Sequence, residues 1–263
     1  YPIEHSGWVD LAPNAVIAAR ETLSGPGAPA HLAVRSWTAG VAVARRKSQA
    51  RRKLRRTGVL VRELTLGYTD MFVKGVKALS RRAGWGTLGE DESLLAYLVD
   101  RAEAIADLKS TDLAYVGQLG KFQRRCGIPM AQAMGYSIGP VRTGYGGQGA
   151  SPTEDISATY VEAMAAARFA LCPPGNYAGD SFRFGEVLLL GSLPVEVSRV
   201  ISEPGRRHMR DIQEFTVTAP TWREALTRMS QMSESERRER VALARAAYVS
   251  RLAAARSILR DGA

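Results

Sequence analysis

Read for the spacing of apolar and polar positions, the chain changes character near residue 112. Beyond that point short apolar runs alternate with helical patterns. Leu113 to Gly117 (LAYVG) reads as a strand, followed by a loop over Gln118 to Arg125 and a helix near Pro129 to Met134. After a glycine-rich loop, Ser157 to Ala167 reads as a helix and Arg168 to Cys172 (RFALC) as a strand. Pro173 to Gly179 is a loop, Ser181 to Leu190 a helix, Leu193 to Val197 a strand, and Phe215 to Val217 another. Thr221 to Arg260 is helical with a heavily charged surface. Strands alternating with helices of about ten residues predict right-handed crossovers and a parallel sheet.

The front of the chain is less regular. Pro13 to Leu23 has the pattern of a short amphipathic helix, which Gly25, Pro26, Gly27 and Pro29 end. Val59 to Leu79 fits a strand followed by a helix, Gly84 to Gly89 a turn, and Asp91 to Leu108 a helix with acids at its start. These patterns predict an α/β protein in two parts. Residues 1–110 form a shorter, basic, mainly helical N-terminal region, a partial or divergent first lobe. Residues 111–263 form a Rossmann-like lobe built on a parallel sheet.

Composition changes this picture in one place. Apolar residues make up 45% and charged residues 24% of the 263, as in an ordinary globular chain. No apolar run reaches the roughly 18 residues of a membrane span. The net charge of +10 is concentrated: Val41 to Trp85 holds thirteen Lys or Arg against two acids, and the rest is close to neutral. Its centre, ARRKSQARRKLRR from Ala44 to Arg56, is rich in helix formers but nearly lacks an apolar face. Arg45, Arg46, Lys47, Arg51, Arg52, Lys53, Arg55 and Arg56 read as a solvated helix or tail, as a contact to RNA or another phosphate-rich partner, or as a contact to an acidic protein or membrane surface. No aromatic interleaves with these arginines, which weighs against tightly held single-stranded nucleic acid. The chain starts at Tyr1 without a signal-peptide pattern, so a processed or truncated form is expected.

Candidate chemistry narrows by elimination. Cys126 and Cys172 lie in or beside expected core elements and read as buried small hydrophobes. The three histidines, His5, His31 and His208, have no metal-ligand spacing and no nucleophile motif nearby. Gly144, Gly146 and Gly149 satisfy G-x-G-x-x-G, but no clear strand precedes them and Pro152 follows, so a mobile loop is the better reading. There is no P-loop and no D-x-D pair.

The most informative passage is Arg168 to Arg199, RFALCPPGNYAGDSFRFGEVLLLGSLPVEVSR. It reads as a buried strand, a Pro-Pro-Gly turn, a loop and a helix opening at Asp180-Ser181. Such a helix presents free amides and a positive dipole end at the carboxyl edge of a parallel sheet, where a diphosphate would fit. Arg183 and Glu186, three apart, share a face. There they could meet phosphate and ribose, or could pair with each other. Glu196 puts a carboxylate in an otherwise apolar strand.

This passage resembles the C-terminal signature of the exostosin-like glycosyltransferases (glycosyltransferase family 47), a "FCLCPPG" strand-turn followed by an "S-x-R-x-x-E-A" helix and a "GC-x-PV" strand. The matching residues are Phe169, Leu171, Cys172, Pro173, Pro174 and Gly175, then Asp180, Ser181, Arg183 and Glu186, then Gly191, Pro194 and Val195. The uninterrupted PPGNYAGDSFRF is similar to the ribitol-xylosyltransferase-like branch. Tyr115, Val116, Gly117, Gln118, Gly120, Arg124 and Arg125 resemble the family's first strand and basic loop, and Trp222 to Leu226 its usual ending. Gly185 stands where the family often has a larger residue.

The resemblance implies that residues 111–263 are the C-terminal, nucleotide-sugar-binding half of a GT-B fold. It implies transfer of a sugar from a nucleoside diphosphate donor to a glycan hydroxyl, with no obligatory metal or other cofactor. Glu186 would hold the donor ribose, while Arg183 and the backbone of Gly179, Asp180 and Ser181 would meet phosphate. Arg124 or Arg125 would neutralise the leaving diphosphate. The catalytic residues, including a general base, would come from elsewhere and stay unnamed. Residues before Asp112 carry no such match, which motivates a second expectation: a catalytically inactive, transferase-like structural subunit of a larger assembly, organellar or RNA-containing. The Golgi or endoplasmic reticulum lumen goes with the first expectation, an organelle matrix with the second.

Overall fold

The computed structural model describes residues 31–33, 60–62, 68–89, 93–117, 122–138, 154–173, 182–197 and 210–261, some of them by backbone alone. The expected helix Pro13 to Leu23, the basic arm Ala44 to Arg56, the glycine-rich loop at 144–149, and Gly179, Asp180 and Ser181 lie outside the described residues.

Two short strands, β1 (His31–Ala33) and β2 (Leu60–Arg62), pair in parallel. The main sheet is also parallel, with β3 (Thr111–Ala114), β4 (Ala167–Leu171), β5 (Leu193–Val197) and β6 (Val217–Ala219) adjacent in chain order. Nine helices among the described residues accompany them: α1 (Asp70–Ala83), α2 (Leu94–Asp100), α3 (Ala102–Ala106), α4 (Phe122–Ala133), α5 (Glu154–Ala166), α6 (Phe182–Leu189), α7 (Arg210–Gln213), α8 (Trp222–Gln231) and α9 (Glu234–Asp261). The result is a mixed α/β fold of Rossmann-like type, a small parallel sheet flanked by helices. None of the helices among the described residues is long and apolar enough to cross a membrane.

Alternation along the strands sorts side chains onto two faces. Leu113, Tyr115, Phe169, Leu171, Leu193, Val195, Val197 and Val217 pack with Ile128 of α4 and Trp222, Leu226 and Met229 of α8. The opposite face is lined by small groups, Ala114, Ala170 and Cys172, which admit α5 and α6 closely. Because both faces are covered, the strands read as apolar runs with little polar alternation.

That second face is completed by residues from the front of the chain. Tyr68, Phe72, Val76 and Leu79, with Leu94, Leu95, Tyr97, Leu98 and Ile105, share one core with Tyr160, Val161, Met164, Phe184 and Leu188. The core therefore includes residues from both sides of position 110. Residues 68–89 and 93–108 are an outer layer on the sheet. Gly75 makes this layer possible: a Cβ there would stand 2.4 Å from the Ser157 carbonyl oxygen, so α1 crosses α5 at backbone contact.

Several boundaries differ from the sequence expectation. The helix expected near Pro129 begins at Phe122 and holds Pro129 inside it, so Arg124 and Arg125 belong to helix α4 rather than to a loop. Within the expected helix Asp91 to Leu108 the described residues form two helices, parted at Arg101, whose guanidinium donates to the Trp85 carbonyl and lies 3.6 Å from the centre of the Tyr97 ring. The last strand is shifted to Val217–Ala219. Thr221 to Arg260 divides at Met232-Ser233, where Ser233 Oγ accepts from Glu236 N at 3.1 Å and starts a new helix.

At the amino end of the sheet, cations close the ends of two helices. Lys109 Nζ donates to Ala165 O at 2.7 Å, to Leu190 O at 2.8 Å and to Ser192 Oγ at 2.8 Å. Arg237 Nη1 donates to Gly191 O at 3.2 Å, and Arg245 Nε to Leu188 O at 3.0 Å. Carbonyls at helix C-termini lack intrahelical donors and carry the negative end of the dipole, so cations suit them. Burial, and then the charges of Arg237 and Arg245, push the Lys109 pKa down to about 6, but three acceptors around Nζ call for the three protons that only the ammonium carries, and they hold it in that form. On the outer side of α6, Gly185 faces the Tyr248 ring of α9 so closely that a Cβ would lie 2.0 Å from its hydroxyl oxygen.

Candidate functional site at the carboxyl end of the sheet

Two chain segments leave the carboxyl end of the sheet side by side. β3 continues into Tyr115, Val116 and Gly117; β4 continues into Cys172 and Pro173. α6 follows β4 and carries Arg183 in its first turn and Glu186 one turn further on.

Arg183 reaches back over β3. Its Nη2 donates to Val116 O at 2.8 Å, and its Cζ lies 4.9 Å from the centre of the Tyr115 ring. Gly117 makes room for it, since a Cβ there would stand 2.5 Å from Nη2. The Nε proton is buried and has no hydrogen-bond partner among the described residues. A guanidinium keeps five donors in a fixed fork, and one left dry is costly unless an acceptor arrives. Burial alone would lower this group, but Tyr160, Tyr115, Cys172 and Glu186 around it leave it raised.

Glu186 lies on the interior side and is 2% exposed. Oε1 accepts from the Thr69 amide at 2.9 Å and from the Thr69 hydroxyl at 2.7 Å, while Oε2 accepts from the Tyr160 hydroxyl at 2.5 Å. Burial raises the Glu186 carboxyl against these bonds and the nearby Arg183 charge. Burial, and then Glu186, push Tyr160 well above the ordinary phenol range. Burial likewise raises Cys172, which stays a thiol. Glu196 is buried in β5, with Gln213 Nε2 donating to its Oε2 at 3.3 Å, so this strand carboxylate is partnered.

Arg183 and Glu186 are thus brought close, as expected, but they do not pair with each other. Glu186 is also turned inward, with both oxygens bonded, because the Thr69 cap of α1 sits against it. Of the remaining expected phosphate contacts, Arg124 and Arg125 are described only by their helical backbone in α4, and residues 179–181 lie outside the described residues. Sequence reasoning missed Thr69 and Tyr160. Thr69 had a signal, a cap residue directly before the Asp70–Ala83 pattern. Tyr160 had none, since a helix tyrosine at an apolar position reads as core. Among the described residues no group of three or more His, Cys, Asp or Glu could hold a metal ion.

Comparison with protein-family models and with curated proteins finds no match to the chain. The class the fold defines is an α/β protein with a Rossmann-like sheet and a half-buried arginine at its carboxyl end.

Proposed function

We propose that this chain carries the donor-binding lobe of an exostosin-type glycosyltransferase of GT-B architecture, which takes a sugar from a nucleoside diphosphate donor to a glycan hydroxyl. The observation that carries the reading is Arg183, held in the first turn of α6 at the carboxyl end of a parallel sheet with its Nε donor unmatched. A diphosphate oxygen arriving there would meet a fixed cation and, behind it, a helix N-terminus. The sequence resemblance over Arg168 to Arg199 supplies the donor class. Arg183 would grip and orient the diphosphate and stabilise negative charge as it leaves.

Calorimetric titration with uridine diphosphate and with inorganic pyrophosphate tests this. Wild type binds both, and Arg183→Met weakens both by at least about tenfold, as loss of a charge-assisted contact should, with its circular dichroism and melting cooperativity kept. Absence of binding by wild type at millimolar ligand sinks the proposal. The second reading, a transferase-like structural subunit without catalysis, is favoured by one observation: the Glu186 carboxylate is spent on Thr69 and Tyr160.

A further inference from the structure

We propose that Glu186 is a positioning residue: a buried brace that ties the N-terminus of α1 to α6 and so fixes Arg183 at the sheet's carboxyl end. The proposal rests on the reading of Arg183 as an anion contact. Three bonds converge on the carboxylate from two other helices. Thr69 gives both its amide and its hydroxyl, and Tyr160 of α5 gives its phenol. The same Thr69 hydroxyl oxygen accepts from Phe72 N at 3.2 Å, so one threonine caps α1 and holds α6 at once. Glu186 stands one turn after Arg183, and a shift of α6 along its axis would move both together. α5, which supplies Tyr160, is also the helix that α1 crosses at Gly75. Glu186 thereby closes a triangle of α1, α5 and α6 directly behind the arginine.

A brace and a ribose ligand make different demands. A brace needs acceptors for Thr69; its glutamine variant can still accept from Thr69 and donate to the Tyr160 oxygen. A ribose ligand would act on uridine diphosphate and leave pyrophosphate alone.

The experiment measures uridine diphosphate and pyrophosphate affinity, together with amide exchange at Thr69, in wild type, Glu186→Ala, Glu186→Gln and Thr69→Val. As a brace, Glu186→Ala and Thr69→Val weaken the two ligands by the same factor, about tenfold for the loss of charge-assisted bonds. Glu186→Ala also speeds exchange at the Thr69 amide, and Glu186→Gln restores most of both losses. A loss confined to uridine diphosphate makes Glu186 a ribose ligand and overturns the proposal. So does unchanged Thr69 protection in Glu186→Ala. If Glu186→Ala does not fold, Thr69→Val decides by whether the two ligands fall together. Should wild type bind neither ligand, the reading of Arg183 fails, and with it the claim that the brace serves a binding site; the exchange result then reports only the link between α1 and α6.

Discussion

Lys109 shows how much a single side chain does at the amino end of the sheet. Its ammonium serves Ala165 O, Leu190 O and Ser192 Oγ, and so joins the ends of α5 and α6. Lys109→Met keeps the stem but withdraws all three donors from buried acceptors. The expected cost is about 2–4 kcal/mol, the range for leaving several buried polar groups unmatched, read as a lower denaturation midpoint in urea. An unchanged midpoint would mean that water replaces the ammonium without loss. Glu234 gives the pH dependence. Hydrogen bonding to Arg237, in the main, holds its carboxyl down at about 2, against an ordinary value of 4.5. Because the folded value is depressed, the stabilisation is complete above about 4.5 and fades as pH falls toward 2. Glu234 is well exposed, so solvent screening keeps the effect below about 1 kcal/mol. Melting temperatures between pH 5 and 2 should fall less steeply in Glu234→Gln than in wild type.

At the scale of elements, the contact between α1 and α5 rests on a missing side chain. Gly75→Ala would improve helix propensity by about 1 kcal/mol, yet its Cβ meets the Ser157 carbonyl oxygen at 2.4 Å and a Val161 methyl at 2.4 Å. Backbone cannot swing aside as a side chain can, so the net effect is destabilising by about 1–3 kcal/mol, measurable by chemical denaturation. A gain in stability would show that α1 can ride up on α5. Element by element, the sheet was the most legible part. Leu193–Val197 was read to the residue, since an apolar run closed by Gly191 before it is hard to mistake. The division of the last helix was legible but missed: Ser233 and Glu236 form the S-x-x-E pattern of a helix start, hidden within a run of charge. The early start of α4 was not legible, because a proline seven residues beyond the helix's true start imitates a first-turn proline. At the candidate site, Arg183 and Glu186 could be found by spacing. The inward turn of Glu186 could not, because it depends on Thr69, 117 positions away.

For the molecule as a whole, the decisive fact is that the hydrophobic core ignores the change of pattern near residue 112. Tyr68, Phe72, Val76, Tyr97 and Leu98 are buried against the same face of the sheet as Phe184 and Leu188. A fragment of residues 111–263 should expose that face and lose cooperative melting, while a fragment of residues 63–263 should retain it. Differential scanning calorimetry on the two fragments checks this, and a sharp transition in the shorter one would mean that residues 111–263 fold on their own. Front-half residues are therefore part of whatever the carboxyl edge does, since the Thr69 cap and the Glu186 carboxylate belong to different halves of the sequence.

The fit of Gly185 beneath Tyr248 carries a consequence for how such chains diverge. A ring and a bare α-carbon in this relation are a matched pair, so drift at one position constrains drift at the other. Descendants or ancestors with a bulkier residue at 185 must have trimmed residue 248 or lifted the terminal helix away. Covariation of these two columns, 63 residues apart in the chain, would be the historical trace of that fit.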